Sequence, residues 1–199
     1  LIRPIGAWVI REACRAAARW PREFGVSVNA SPAQLTQTDF AEQVSDALLA
    51  AGLAPERLEI ELTEASLIAD HGRMLEVMVE LKAAGVRVAM DDYGAGLASL
   101  GALRSFPFDR LKIDRAFIDA MDRDPAAAAM VEATLLQARA LKMPVMAEGV
   151  EDASHLERLR RQGCEQAQGY YFGRPMPLAD ARRLMRRAAR GTTVAPAAS

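Results

Sequence analysis

Residues 57–64 read RLEIELTE. Successive side chains of a strand point to opposite faces, so Leu58, Ile60 and Leu62 share one side while Glu59, Glu61 and Thr63 share the other. Four further runs repeat this division. Val26 and Val28 oppose Ser27 and Asn29, and Val88 and Met90 oppose Ala89 and Asp91. Leu111 and Ile113 oppose Lys112 and Asp114, and Val145 and Ala147 oppose Met146 and Glu148. An open sheet covered by helices on both sides calls for apolar runs on both faces. One aliphatic face, with one polar face whose charge gathers at the C-terminal strand ends, predicts a TIM-like (β/α) barrel, where site residues come from the ends of several strands.

The segments between these runs carry helical patterns. The spacing predicts helices over 7–20, 33–51, 66–84, a short one ending near Ser105, then 125–142, 152–162 and 178–190. Strands are predicted over 26–31, 57–64, 87–92, 110–114, 144–150 and 166–173, and crossovers of this length join parallel neighbours. Local signals set the ends. Ser31-Pro32 and Asp124-Pro125 read as helix starts, and Gly52, Gly85 and Gly163 as stops. Met74, Met78 and Leu81 fall at helical spacing and read as core. The small-residue tail 191–199 is expected to be disordered.

Composition narrows the function. With 25 basic and 26 acidic residues, net charge −1, there is no basic excess of the kind that marks a nucleic-acid polymer as partner. Cys14 and Cys164 form no CxxC pair and read as buried thiols of a cytoplasmic protein. No run in this chain is apolar enough for a membrane segment, and no signal peptide opens it. Leu1 is not a methionine, and LIRPIGAWVI starts as if in mid-domain, so the chain reads as a piece whose natural N-terminus lies elsewhere.

Collected at the strand ends are Asn29, Glu61, Glu64, Asp91, Asp92, Lys112, Asp114, Glu148 and Gln168. Carboxylates gathered this densely repel one another unless cations sit among them. Oxygen donors without histidine or thiolate suit Mg²⁺ or Mn²⁺ and not zinc. His71 and His155 fall away from the strand ends. Two ions would clamp the attacking and leaving oxygens of an in-line phosphoryl displacement. Lys112 then orients water or neutralises a phosphate oxygen, and Glu148 is a metal ligand or a base on the attacking water. The Gly94 and Gly96 pair lacks the spacing and the lysine of a phosphate-binding loop and reads as a tight turn.

SVNASPAQL, LEIELTEA, VAMDDYGAGLASL, RLKIDRAFI, VMAEGVE and QAQGYYFGRPM together resemble the EAL domain family, in family order and over about residues 1–180. The resemblance implies phosphodiesterases that open cyclic di-GMP to linear pGpG, on a TIM-like barrel with two Mg²⁺ or Mn²⁺ ions. By motif match, Asn29, Glu61, Asp91, Asp92 and Glu148 take metal-ligand places. Lys112, Glu148 and Gln168 take catalytic places, and Glu64 the place of the glutamate that steadies the loop after the aspartate pair. Asp114, Arg115 and Glu151 fall where substrate-pocket residues are expected. The resemblance also implies a homodimer through the loop and helix after Asp92, and diguanylate cyclase or sensor domains upstream.

The departures generate expectations of their own. The motif Glu-Ala/Val-Leu, with an arginine one residue on, is absent. Residues 1–190 therefore read as an EAL domain lacking its N-terminal segment, an incomplete barrel, and the 199-residue chain alone is expected to be weak or inactive. Where the family commonly reads Asp-Asp-Phe-Gly-Thr/Ala-Gly-Tyr-Ser-Ser, this chain has Tyr93, Leu97 and Ala98. Two other readings stay open: a degenerate domain that binds the nucleotide or a protein without hydrolysis, and an unrelated metal-dependent barrel such as an enolase-like lyase.

Overall fold

The computed structural model describes residues 1–94 and 100–189; the substitutions at Leu97 and Ala98 and the tail 191–199 lie outside the described residues. The chain divides into two compact units, the first comprising Leu1–Met90 and Gly101–Asp109, the second the remaining described residues. Strands hydrogen-bond in the order β1-β2-β3-β4-β5-β6, which is chain order. A doubly wound sheet reverses its order part-way, whereas winding that always advances by one neighbour is that of a TIM-like barrel. With six strands in place of eight, the fold is an incomplete α/β barrel of that kind.

The first unit opens with α1 (Ile2–Ala17), which buries Gly6, Ile10, Cys14 and Ala17 along one stripe. Its C-terminal carbonyls are satisfied from a distance. Arg57 donates from Nη2 to Ala17 O at 2.7 Å and from Nε to Phe24 O at 2.9 Å, so a cation sits at the negative end of the helix. β1 (Val26–Asn29) pairs in parallel with β2 (Leu58–Thr63), Asn29 opposite Glu61. Between them the predicted single helix is two: α2 (Pro32–Leu35) and α3 (Phe40–Ala51). The segment Thr36-Gln37-Thr38-Asp39 favours side-chain bonds to nearby backbone over helix, and Thr36 Oγ1 donates to Ala33 O at 3.3 Å. Ser31 does begin α2, with its backbone N–H and hydroxyl both donating to Gln34 Oε1.

The next predicted helix also splits, into α4 (Glu64–Ala69) and α5 (His71–Ala83). Asp70 is the reason, because its carboxylate accepts the Arg73 N–H at 3.1 Å and starts a new helix. β3 (Arg87–Tyr93) begins in this unit and ends in the other, and α6 (Leu100–Ser105) follows. Leu58, Ile60, Leu62, Val88 and Met90 are fully buried, as are Val77, Met78 and Leu81 of α5.

In the second unit β4 (Arg110–Ile113), β5 (Val145–Ala147) and β6 (Gln166–Ala167) are parallel neighbours. A helix absent from the sequence reading, α7 (Arg115–Ala120), follows β4, because Asp114 Oδ1 accepts the Ala116 N–H at 2.6 Å and caps it. α8 (Pro125–Leu141), α9 (Ala153–Arg161) and α10 (Leu178–Ala189) complete the unit. Asp152 caps α9, and the His155 N–H it accepts, with the Ser154 hydroxyl, holds its carboxyl below the usual range. β5 and β6 are shorter than predicted. Gly149 turns the chain at φ +73°, and beyond β6 the chain folds back on Val150, whose carbonyl accepts the Tyr171 N–H at 3.0 Å.

Cys14 and Cys164 are free and buried, and burial pushes the Cys14 thiol up to about 11 from 9.0. Native protein at pH 7.5 should therefore leave both thiols unlabelled by a disulfide reagent over minutes, with two equivalents reacting after unfolding. Because the folded-state value is raised, the stability tied to neutral Cys14 falls as pH rises from 9 toward 11.

Asp109 carries a second testable contribution. Its Oδ2 accepts the buried Val88 N–H at 2.8 Å, its own N–H donates to Val88 O at 2.8 Å, and its Oδ1 pairs with Lys82. Asp109→Ala strands the Val88 N–H and should cost about 2 kcal/mol in urea denaturation.

Candidate active site

Backbone pairing in the second unit fixes where the polar ends of the strands meet. Ile113 lies opposite Ala147, and Ala147 opposite Ala167. The ladder continues one step past the strands: the Glu148 N–H donates to Ile113 O at 3.2 Å, and the Gln168 N–H to Ala147 O at 2.8 Å. Glu148 and Gln168 thus become neighbours although 20 residues separate them, and Gln168 Nε2 donates to Glu148 Oε1 at 3.0 Å.

Lys112 lies on β4 with 2 % of its surface exposed. Its ammonium stands 2.5 Å from Glu148 Oε1 and 3.3 Å from Asp91 Oδ1. Asp91 is 8 % exposed, while Asp92 beside it is exposed and adopts φ +55°. One carboxylate oxygen from each of Asp91, Asp92 and Glu148 lies within 4.8 Å of the others. The sequence reading placed Asp91, Asp92, Lys112, Glu148 and Gln168 at strand ends, and the structure brings these five together.

The donor set passes a chemical test for a hard divalent cation. The three crowded donors are all carboxylate oxygens, as Mg²⁺ and Mn²⁺ prefer. Asp91 Oδ1 is buried, and its one neighbouring cation among the described residues is the Lys112 ammonium at 3.3 Å, so the oxygen lies where positive charge is already favoured.

The first unit holds the other predicted ligands. Asn29 and Glu61 are register partners on β1 and β2, and the Ala30 N–H donates to Glu61 O at 2.9 Å. Glu61 is 6 % exposed and Glu64, the first residue of α4, 4 %. Glu59, deeper on the same face as Glu61, accepts the Ser27 hydroxyl at 3.0 Å, as a structural residue would.

Of the predicted substrate residues, Arg115 and Glu151 are paired at 2.5 Å, and Arg115 also holds Asp119 at 2.9 Å. The hydrogen bond to Asp119, then the charges of Asp119 and Glu151, push the guanidinium pKa further up. Asp114 caps α7, a duty its strand parity did not announce. The sequence reading missed Tyr170, whose ring lies 4.6 Å from the Arg174 guanidinium and 5.8 Å from that of Arg115. The run Gly-Tyr-Tyr-Phe-Gly-Arg after Gln168 was the available signal, read as strand and as part of a family motif with no role given to its tyrosines.

Replacing Lys112 by methionine leaves the buried Asp91 and the half-buried Glu148 close together without the cation between them. In chelator-treated protein, Lys112→Met should cost about 3 kcal/mol of stability. Adding Glu148→Gln should recover part of that loss, giving a coupling of about 1 kcal/mol or more in a double-mutant cycle of urea unfolding.

The model of the EAL domain matches residues 1–175. An uncharacterized signaling protein of Caulobacter vibrioides is 46 % identical over 178 residues, covering 89 % of this chain and 22 % of that protein. The solved structure of the MucR phosphodiesterase in complex with c-di-GMP superimposes with a TM-score of 0.87 at 37 % identity, over 89 % of this chain and 74 % of that one. A manganese and c-di-GMP complex of Klebsiella pneumoniae BlrP1 gives 0.80 at 29 % identity, over 87 % of this chain and 44 % of that one. The chain spans 22–26 % of the length of the first curated relatives it matches. With its strand order, its carboxylate cluster and a family match over most of its length, the chain belongs to the EAL domain family.

Proposed function

We propose that this domain hydrolyses cyclic di-GMP to linear pGpG by in-line attack of water, with Mg²⁺ or Mn²⁺ as cofactor. The observation that carries this reading is the buried Lys112 ammonium set among carboxylates crowded within 4.8 Å, an arrangement suited to phosphate oxygens and hard cations together. The complexes of MucR with c-di-GMP and of BlrP1 with manganese and c-di-GMP support the ligand and the cofactor class.

By motif match, Asn29, Glu61, Asp91, Asp92 and Glu148 are assigned metal-ligand places for two ions. Bound there, the ions would neutralise the phosphodiester and make water more acidic. Lys112 offers its ammonium to a non-bridging phosphate oxygen and holds Glu148 in place by their ion pair. Glu148, as carboxylate, takes the proton of the attacking water. Gln168 fixes the Glu148 carboxylate by the bond to Oε1. Arg115, oriented by Glu151 and Asp119, presents a fixed guanidinium to the nucleotide, with Asp114 beside it. By motif match, Glu64 is assigned the place of the loop-steadying glutamate.

The same reading assigns residues 1–190 to one domain of a cytoplasmic signalling protein. It includes a homodimer through the segment and helix following Asp92, and cyclase or sensor domains elsewhere in the longer protein. Among the described residues no helix is long and apolar enough to cross a membrane.

The deciding assay follows cyclic di-GMP and pGpG by chromatography with Mn²⁺ or Mg²⁺ present. The 199-residue chain is expected to convert substrate weakly. Asp91→Asn, Glu148→Gln and Lys112→Met should each lower kcat/KM by about 10²-fold or more, and chelation should abolish turnover. Binding of cyclic di-GMP in Ca²⁺ with no turnover after Mn²⁺ is added would favour a nucleotide-binding regulatory module. Neither binding nor turnover would remove cyclic di-GMP as the ligand.

A further inference from the structure

The end of β3 is held in an unusual conformation. Asp92 has φ +55° and Gly94 φ +100°, so two left-handed residues flank Tyr93. A non-glycine residue in that region persists where its surroundings over-determine it. Two contacts supply the constraint. Tyr93, 5 % exposed, donates its hydroxyl to Gln137 Oε1 on α8 at 2.8 Å. Gly94 lies so close to the neighbouring helices that a Cβ there would stand 3.0 Å from Phe117 of α7 and 3.4 Å from Met130 of α8. Gln137 is thus bonded to the residue that immediately follows the aspartate pair in the chain.

We propose that Gln137 is a positioning residue that acts through Tyr93, pinning the left-handed turn that directs the carboxylates of Asp91 and Asp92 into the cluster with Glu148. This inference rests on the reading of Asp91 and Asp92 as metal ligands. A strand end free to rotate at Asp92 would swing one carboxylate away from the other two, and the cation would lose a donor. The half-buried amide of Gln137 is suited to the role, because α8 is a 17-residue helix anchored by Val131, Leu135 and Ala138 in the core. The tether therefore ties the aspartate pair to a rigid element and not to a loop.

The test compares wild type with Tyr93→Phe, Gln137→Leu and Gln137→Glu, the last keeping an acceptor for the hydroxyl. Amide hydrogen exchange in metal-free protein should rise about tenfold at residues 91–94 in Tyr93→Phe and Gln137→Leu. It should stay within about twofold of wild type in Gln137→Glu, with residues 58–63 unchanged in all three. Unchanged exchange at 91–94, or a uniform rise across the chain, overturns the proposal. Mn²⁺ affinity, read from the resonance signal of the free ion, should weaken about tenfold in Tyr93→Phe and be restored in Gln137→Glu. Equal affinity of Tyr93→Phe and wild type overturns it as well. A wild type that binds no Mn²⁺ would instead overturn the metal-centre reading, and hydrogen exchange would still decide the tether.

Discussion

An ammonium group with 2 % of its surface exposed must find its solvation in the protein, and around Lys112 that solvation is Glu148 and Asp91. Removing two ions from water costs several kcal/mol each, and the pair recovers this only when its geometry is close. The contact at 2.5 Å to Glu148 is that close, and Gln168 adds a further donor to the same oxygen. The geometry depends on register. Were β5 displaced by one residue against β4, Glu148 would point to the aliphatic face and Lys112 would lose its anion. The polar cluster thus penalises every misregistered pairing of the second unit, while the aliphatic face supplies the burial that favours pairing at all.

The first unit solves the same problem with different groups. Glu59 and Glu61 are 5–6 % exposed on a strand whose other face, Leu58, Ile60 and Leu62, is fully buried, and Glu64 at the start of α4 is 4 % exposed. The parallel ladder puts Asn29 beside Glu61, so a neutral amide and a carboxylate share one end of the pair. Burying acids this deeply does not stabilise a fold, and the helices on the aliphatic side must offset it. α5 does so through Val77, Met78 and Leu81, and Asp109 joins the backbone of β3 to the chain entering β4.

What was legible from the sequence follows from the range of the interaction that decides each feature. Alternation along a strand is set by backbone geometry, so Leu58, Ile60 and Leu62 declare one face and Glu61 the other without knowledge of any partner. That sufficed for the sheet, for its incomplete barrel winding, and for five residues that prove to be together. Helix ends were harder. Asp70 and Asp114 each start a helix because one carboxylate accepts one backbone N–H, a contribution of about 1 kcal/mol that competes evenly with helix continuation or a loop. Ser31-Pro32 and Asp124-Pro125 were readable because proline removes the competing conformations. Arg57 serving the carbonyl end of α1 across 40 residues left no local trace at all.

The contrast between Asp91 and Asp92 shows where such reading ends. Both are aspartates in adjacent positions, and alternation alone would send them to opposite faces. The structure instead places a carboxylate oxygen of each within 4.8 Å of Glu148, because the left-handed backbone at Asp92 turns the strand end on itself. A fold that used only the regular pleat could offer one acid per strand end to a shared cation. Breaking the pleat at one residue offers two, at a conformational cost that packing has to meet. Seating Gly94 against Phe117 and Met130, and bonding Tyr93 to Gln137, meets it from the second unit's own helices. The second acid of the pair is thus a product of tertiary packing, and helix packing decides how many acids β3 brings to the cluster.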